Sequence, residues 1–396
     1  MREHRLEVAD VFHAPQQEFL ERWGHVVSRP QRKVLAAIGR CRTAALGSQL
    51  ERCDSCSYEY VAFDSCPDRH CPKCQSTARD RWLQKQASSR LPVPYRHVVF
   101  TLPKQRAALA LRNQRLIYAL LFRAVSETRM EIAADRHRLG ARIGILAVLH
   151  TWNQPLEHHP HLHCLVPAGG LAPDPSHWIA CRPRYFLPAP VLSCRFRGKM
   201  LAFLKHAYDH HPLRFPGTLA AFSKPGPFHP MLSTLRHQKW VVYAKPPFGG
   251  PDFVLKYLAR YTHRVALANG RLLDLNNGQV RFKGRDSRDN HRLKAMSLDA
   301  LEFIPRFLLH VLPGGFVKIR HFGLLANRKR PQALALCRCH LKAIAPQSTD
   351  LVTPQQQSAI NRCCPKCKPG TLHVVVRCTT LVPATDDSHL AEINSS

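Results

Sequence analysis

The chain has 396 residues, enough for two or three domains, and 45% of them are hydrophobic, as in an ordinary globular protein with a packed core. Lys and Arg number 58 against 27 Asp and Glu, a formal net charge of +31 that calls for a polyanionic partner. Nucleic acid fits that demand, because each neutralised phosphate releases condensed counterions. An anionic membrane fits it poorly: the basic residues are spread along the whole chain, no helix with a clean Lys/Arg face stands out, and nowhere do about 18 apolar residues run together. Met1 to Asp10 are charged and lack an apolar signal core, so a cytoplasmic protein is expected. Fifteen Cys in a reducing compartment point to metal ligands or inert thiols rather than disulfides.

In chain order, six of those Cys lie between Cys41 and Cys74, which predicts a small metal-stapled unit over 1–90. Tyr95 to Leu102 is β-rich and stops at Pro103, a strand. Ala107 to Asp135 follows with apolar residues at helical spacing, then two strands, Ile143 to His150 and His161 to Pro167, separated by a short polar loop. Residues 173–247 are rich in Pro and read as an insertion within a catalytic region spanning 91–330. Asp252 is a helix N-cap candidate, with the helix running through Tyr261. Val265–Ala268, Arg271–Leu275 and Gln279–Lys283 alternate with Asn269-Gly270 and Asn276-Asn277-Gly278, the signature of a β-meander. A helix near Ser297 to Leu309 and a strand Phe316 to Ile319 come next. Residues 331–396 read as a basic to polar tail, loose from about Pro346 apart from a small Cys cluster.

Three patterns carry chemistry. Cys53-x2-Cys56 followed after 14 residues by Cys71-x2-Cys74 has the spacing of paired knuckles that supply four thiolates to zinc; Cys66 and His70, in the same loop, are alternatives for one of the four. No acidic or water-activating partner accompanies them, so this zinc is expected to be structural. Second, His161-Leu162-His163 opens an apolar strand, where alternation puts both imidazoles on one face and Leu162 on the core side. Such a pair can clamp a divalent ion, Mg or Mn, with a third ligand to be drawn from His150, Gln154 or Glu157. Third, Tyr257 and Tyr261 stand four apart on the predicted helix and share a face, which suits either one site or a packing stripe.

Together these residues resemble the insertion-sequence 91 family of rolling-circle transposases, within the HUH endonuclease superfamily. The resemblance rests on Cys53-x2-Cys56, Arg69-His70-Cys71-Pro72-Lys73-Cys74, Val98 to Pro103, His150 to Gln154, Pro160-His161-Leu162-His163, Tyr257 to Tyr261 and Arg320 to Asn327, in that order. It implies an α+β fold: an HUH-type antiparallel sheet with flanking helices, preceded by a small N-terminal zinc-binding domain. It also implies that His161 and His163 hold a catalytic Mg or Mn ion and that Tyr257 and Tyr261 are the nucleophiles. The implied activity is cleavage and rejoining of single-stranded DNA, with hairpin ends of a mobile element as substrate. A plasmid replication initiator or relaxase of the same superfamily, and a zinc-dependent DNA-binding protein without chemistry, are the alternatives. Cys363-Cys364-Pro365-Lys366-Cys367 is a candidate second knuckle, to be completed by Cys337, Cys339 or His340.

Overall fold

The computed structural model describes residues 5–379, apart from 88, 183–187, 211–212, 246–264, 287–288, 290–291 and 345–361. In chain order its strands are β1 (Ser48–Cys53), β2 (Glu59–Phe63), β3 (Tyr95–Thr101), β4 (Gly144–Trp152), β5 (His158–Pro167), β6 (Gly169–Leu171), β7 (Trp178–Ala180), β8 (Val242–Lys245), β9 (Leu272–Asn276), β10 (Gln279–Asp286), β11 (Arg292–Asp299), β12 (Ile319–Gly323), β13 (Arg362–Cys363) and β14 (Thr371–Cys378). Five of them form a central antiparallel sheet in the order β12-β4-β5-β3-β8. The α+β architecture with an antiparallel sheet and flanking helices is the one expected from the sequence.

Period-2 alternation gives this sheet two unlike faces. On one, Val98, Phe100, Ile145, Ala147, Leu149, Leu162, Cys164 and Val166 enter the main core. Helix Gln114–Ala134 covers them with Ile117, Tyr118, Leu121, Phe122 and Val125. On the other face, Tyr95, Leu146 and Leu165 pack in a smaller core with Leu334, Cys337 and Leu341 of helix Arg330–Ile344.

The described helices of 173–247 pack into this body. Helix Ala189–His210 buries Leu192, Phe196, Met200 and Leu204 in the main core, helix Pro225–His237 adds Phe228, Met231 and Leu235, and the segment ends in the edge strand β8. The prolines disguise a four-residue apolar repeat that is plain from Leu192 to Leu204. The meander is β9-β10-β11, one strand later than the sequence suggested; Val265 to Leu267 are buried but lie outside the strands. Its first turn falls where expected, with φ of 50° at Asn277 and 74° at Gly278, the left-handed pair such a hairpin needs. The meander and helix Ala300–Leu308 share a core with the N-terminal helices through Val8, Phe12, Val34, Ile38, Phe282, Phe303 and Phe307. The strand expected at Phe316–Ile319 begins three residues later, as β12.

The tail is also not loose throughout. After 361 the chain returns to the N-terminal hairpin, where β14 pairs antiparallel with β1 and completes a sheet ordered β13-β14-β1-β2. Cys337 is buried in the smaller core, away from the Cys364 cluster it was a candidate to join. The predicted helix Asp252–Tyr261 lies outside the described residues.

Two buried imidazoles fix the loop joining β4 to β5. His310 Nε2 donates to the Leu156 carbonyl at 3.1 Å, so its Nδ1 accepts from the Thr151 hydroxyl at 3.2 Å. That grip holds Leu156 fully buried at φ 62°, a left-handed conformation costly for a branched side chain. His158 Nδ1 donates to the Ala107 carbonyl and its Nε2 accepts from the Tyr118 hydroxyl at 2.8 Å. Both must stay neutral: burial pushes His310 down to about 3 and His158 to about 4. Folded pKa values below the unfolded value of about 6.5 contribute stability that is present above pH 6.5 and lost as pH falls toward 3. Denaturant titrations should lose roughly 2 kcal/mol per histidine between pH 6.5 and 5. His310→Gln should remove one histidine's share of that slope; an identical slope in the variant would show that His310 is not a source of it.

Candidate functional site

Three imidazoles converge on the second sheet face. His150 of β4 stands directly opposite His161 of β5, and His163 follows two residues on, so all three project from the same side. One ring nitrogen from each lies within 4.8 Å of the others. Leu162, between the two β5 histidines, is fully buried on the core side, as alternation requires. Hydrogen bonds set the tautomers. His161 Nδ1 donates to the His159 carbonyl at 2.7 Å, which leaves Nε2 free to bind a cation. His163 Nδ1 lies 2.8 Å from His97 Nε2 on β3, and the two rings are nearly coplanar. Burial pushes His161 down to about 4, so it is a neutral donor at physiological pH. Trp152 stacks on His150 with ring centroids 4.6 Å apart, just past an irregularity in the β4–β5 register.

Of the three candidates for a third donor, His150 is the one the fold brings to His161 and His163. Glu157 and Gln154, the other two candidates, serve the β4–β5 loop: the Glu157 carboxylate accepts from Asn153 and pairs with Lys104, and the Gln154 side chain accepts from the Arg285 amide. Sequence reading missed His97 altogether; nothing in its own strand, Tyr95-Arg96-His97-Val98, marks it, because its partner arrives from β5. It also missed Tyr243. Val99 pairs with His163 on one side and Tyr243 on the other, so this half-exposed tyrosine shares a rung and a face with the histidines. Tyr257 and Tyr261 fall in 246–264, outside the described residues, between Lys245 at the end of β8 and Val265.

The four cysteines expected to share one zinc do not meet. Cys71 and Cys74 converge with Cys41 and Cys66, while Cys53 and Cys56 converge with Cys364 and Cys367. The reason is the length of the β1–β2 hairpin. Cys41 and Cys66 flank its base, Cys53 and Cys56 sit at its tip, and five extended residues put roughly 15 Å between the two ends. In the basal cluster Cys74 Sγ lies 3.5 Å from Cys41 Sγ and 3.6 Å from Cys66 Sγ. Cys74 lies in the first turn of helix Pro72–Ala87. Cys66 is thus in the group and His70 is not.

His70 instead clamps the knuckle to the sheet. Its Nε2 accepts from the Leu312 amide at 3.2 Å and its Nδ1 donates to Asp68 at 2.9 Å. Beside it, the Arg69 guanidinium donates to the carbonyls of Phe316 and Pro313 at 2.6 and 2.8 Å. The clamped segment runs directly into β12. Above it opens a cleft of about 780 Å³ lined by Arg42, Arg69, Arg81, Lys318 and Tyr60, with Asp64 and Asp68 as its acidic members. Burial pushes the Lys318 ammonium down to about 7.

A thiolate-bearing hairpin locked to an antiparallel sheet with a histidine trio is the equipment of a zinc-domain transposase, and the sequence relationships agree. Residues 11–102 match the family model described as "Transposase zinc-binding domain", and residues 144–332 match that described as "Putative transposase". The chain is 49% identical over 375 residues to "Putative transposase y4qJ" of Sinorhizobium fredii, covering 92% of this chain and 94% of that protein. It is 30% identical over 322 residues to "Transposase for insertion sequence element IS801" of Pseudomonas savastanoi pv. phaseolicola, covering 78% and 73%. The protein belongs to the insertion-sequence 91 family of transposases. No solved structure matches it. The matched zinc-binding domain encloses all four basal thiols, and among the described residues no helix is long and apolar enough to cross a membrane.

If the trio binds a cation, its donors and their support should be separable by calorimetry with Mn²⁺. Replacing a ligand, His150→Ala, should abolish measurable binding at this site. Removing only the partner of His163, His97→Ala, should weaken it about 10–100-fold, the usual effect of losing a group that orients a ligand. Unchanged affinity in both variants would exclude the site.

Proposed function

We propose that this transposase cleaves and rejoins single-stranded DNA through a 5′-phosphotyrosine link during rolling-circle transposition, with Tyr257 and Tyr261 as nucleophiles. The observation that carries the reading is the convergence of His150, His161 and His163 on one face of the sheet, with His161 oriented by the His159 carbonyl and His163 in contact with His97. Three imidazoles fit a divalent ion, and without a carboxylate among the described donors they suit manganese better than magnesium. Bound there, the ion would polarise the scissile phosphate and offset the charge that develops in the transition state.

The chain's own residues supply the rest. A phenol, with a pKa of about 10, is a weak nucleophile at neutral pH and needs a phosphate already held in line. Its oxygen attacks phosphorus, the bond from phosphorus to the 3′ oxygen breaks, the phenol proton is lost to solvent, and the leaving oxygen takes up a proton as a free 3′-hydroxyl. Rejoining is the reverse attack by a 3′-hydroxyl on the phosphotyrosine, so no nucleotide triphosphate is required. Two tyrosines would let one hold the 5′ end of the element while the other opens a second strand.

The DNA is seated in the cleft beside the zinc knuckle. Arg42 and Arg81 are exposed cations for the backbone, and the half-exposed Tyr60 offers a face on which a base could stack. A structural zinc in the N-terminal domain would keep that wall in place, with the Arg69 and His70 clamp holding it against the catalytic sheet. Membership of the family and the zinc-binding domain favour transposition over plasmid replication for the same chemistry.

The test is covalent capture. Purified protein with Mn²⁺ and a single-stranded oligonucleotide carrying the element's end should give a denaturation-resistant adduct. That adduct should fall sharply in Tyr257→Phe or Tyr261→Phe, vanish in the double variant, and survive Tyr243→Phe. An adduct that persists in the double variant and disappears with Tyr243→Phe would move the nucleophile to β8.

A further inference from the structure

We infer that Cys53, Cys56, Cys364 and Cys367 form a second zinc site, separate from the basal one, that staples the C-terminal strands to the N-terminal hairpin. The matched zinc-binding domain ends at residue 102 and so contains only half of these ligands. The other half comes from more than 300 residues away.

The geometry is that of a tetrathiolate. All four sulfurs lie within 4.8 Å of one another, with Cys53 Sγ 3.6 Å from Cys367 Sγ and Cys56 Sγ 3.6 Å from Cys364 Sγ. A Zn–S length near 2.3 Å puts tetrahedral sulfurs about 3.7 Å apart, whereas a disulfide needs about 2.05 Å. No disulfide is present among these cysteines.

The backbone supplies an independent argument. Each cysteine pair sits in a tight knuckle of the same form. The residue after the second cysteine is left-handed in both, Ser57 at φ 54° and Lys368 at φ 65°. The chain then folds back, with the Cys53 amide donating to the Tyr58 carbonyl at 2.9 Å and the Cys364 amide to the Gly370 carbonyl at 2.7 Å. In the first knuckle an amide points at sulfur, Ser55 donating to Cys53 Sγ at 3.4 Å. Two matching knuckles that present four sulfurs to one point form a ready tetrahedral cage for zinc.

Packing around the site is correspondingly close. A β-carbon at Gly370 would lie 2.4 Å from Cys53 Sγ and 2.9 Å from Cys367 Sγ, so any other residue there must push the knuckles apart. Asp54 ties the knuckles together outside the sulfurs: its amide donates to the Thr371 carbonyl at 3.1 Å and its carboxylate accepts from the Thr371 amide at 2.9 Å. From there β14 runs along β1, pairing Cys53 with Leu372 and Ser48 with Cys378. The two sites therefore sit at opposite ends of one hairpin. The basal site joins the hairpin to helix Pro72–Ala87; the distal site joins it to the end of the chain.

Metal counting on the full-length protein tests this directly. Wild type should carry two zinc ions per chain by elemental analysis and native mass spectrometry. Cys364→Ser with Cys367→Ser should carry one, and so should Gly370→Ala, which keeps every thiol but closes the space between the knuckles. Limited proteolysis should release a C-terminal fragment from both variants at a dose that leaves the wild type whole. A single zinc in the wild type, or two retained in both variants, would overturn the assignment. Should the double-serine variant fail to fold, the wild-type count and Gly370→Ala still decide it.

Discussion

The register between β4 and β5 is the constraint on which the histidine trio depends. Because side chains alternate along a strand, a slip of one residue would carry His161 and His163 to the core side and bring Leu162 out. Two things forbid that slip. The core face buries Leu149, Leu162, Cys164 and Val166, each worth about 1.5–3 kcal/mol for the larger side chains. The connecting loop is pinned from outside the sheet, by His310 on the Leu156 carbonyl and by Arg306 on the Pro155 carbonyl at 2.9 Å. A hydrophobic face and a strained loop thus fix the direction of three polar groups that touch neither.

The zinc-binding region acts on the same centre through rigid contacts. Arg69 and His70, inside the knuckle, hold the segment that enters β12, and β12 pairs with β4 next to His150. The Leu149 amide donates to the Lys318 carbonyl at 2.9 Å, which extends that contact to within one residue of the histidine. The cysteine clusters lie apart from the histidine trio, and Cys74 of the basal one lines the basic cleft. This arrangement ties the N-terminal hairpin to the position of the sheet that carries the histidines.

What the sequence disclosed followed from what is local. Alternation over His161-Leu162-His163 is a property of one strand, and Asn277-Gly278 determines its turn without help from elsewhere. Each C-x2-C pair likewise announced a knuckle. Which knuckles share a metal depended on the extent of the β1–β2 hairpin and on the return of β14 from the far end of the chain, and neither is written near the cysteines. His150 and His97 entered the site through cross-strand neighbours, so their roles waited on strand order. In 189–237 the signal was present, in the repeat Leu192, Phe196, Met200 and Leu204, but prolines on both sides masked it.

The decisive measurement is the location of a bound ion. Crystals of the full-length protein grown with Mn²⁺ should show an anomalous peak roughly 2.0–2.2 Å from one nitrogen of each of His150, His161 and His163, a normal length for metal–imidazole bonds. A manganese ion bound elsewhere, or no ion beside the three imidazoles at saturating metal, would contradict a metal-assisted centre on this sheet.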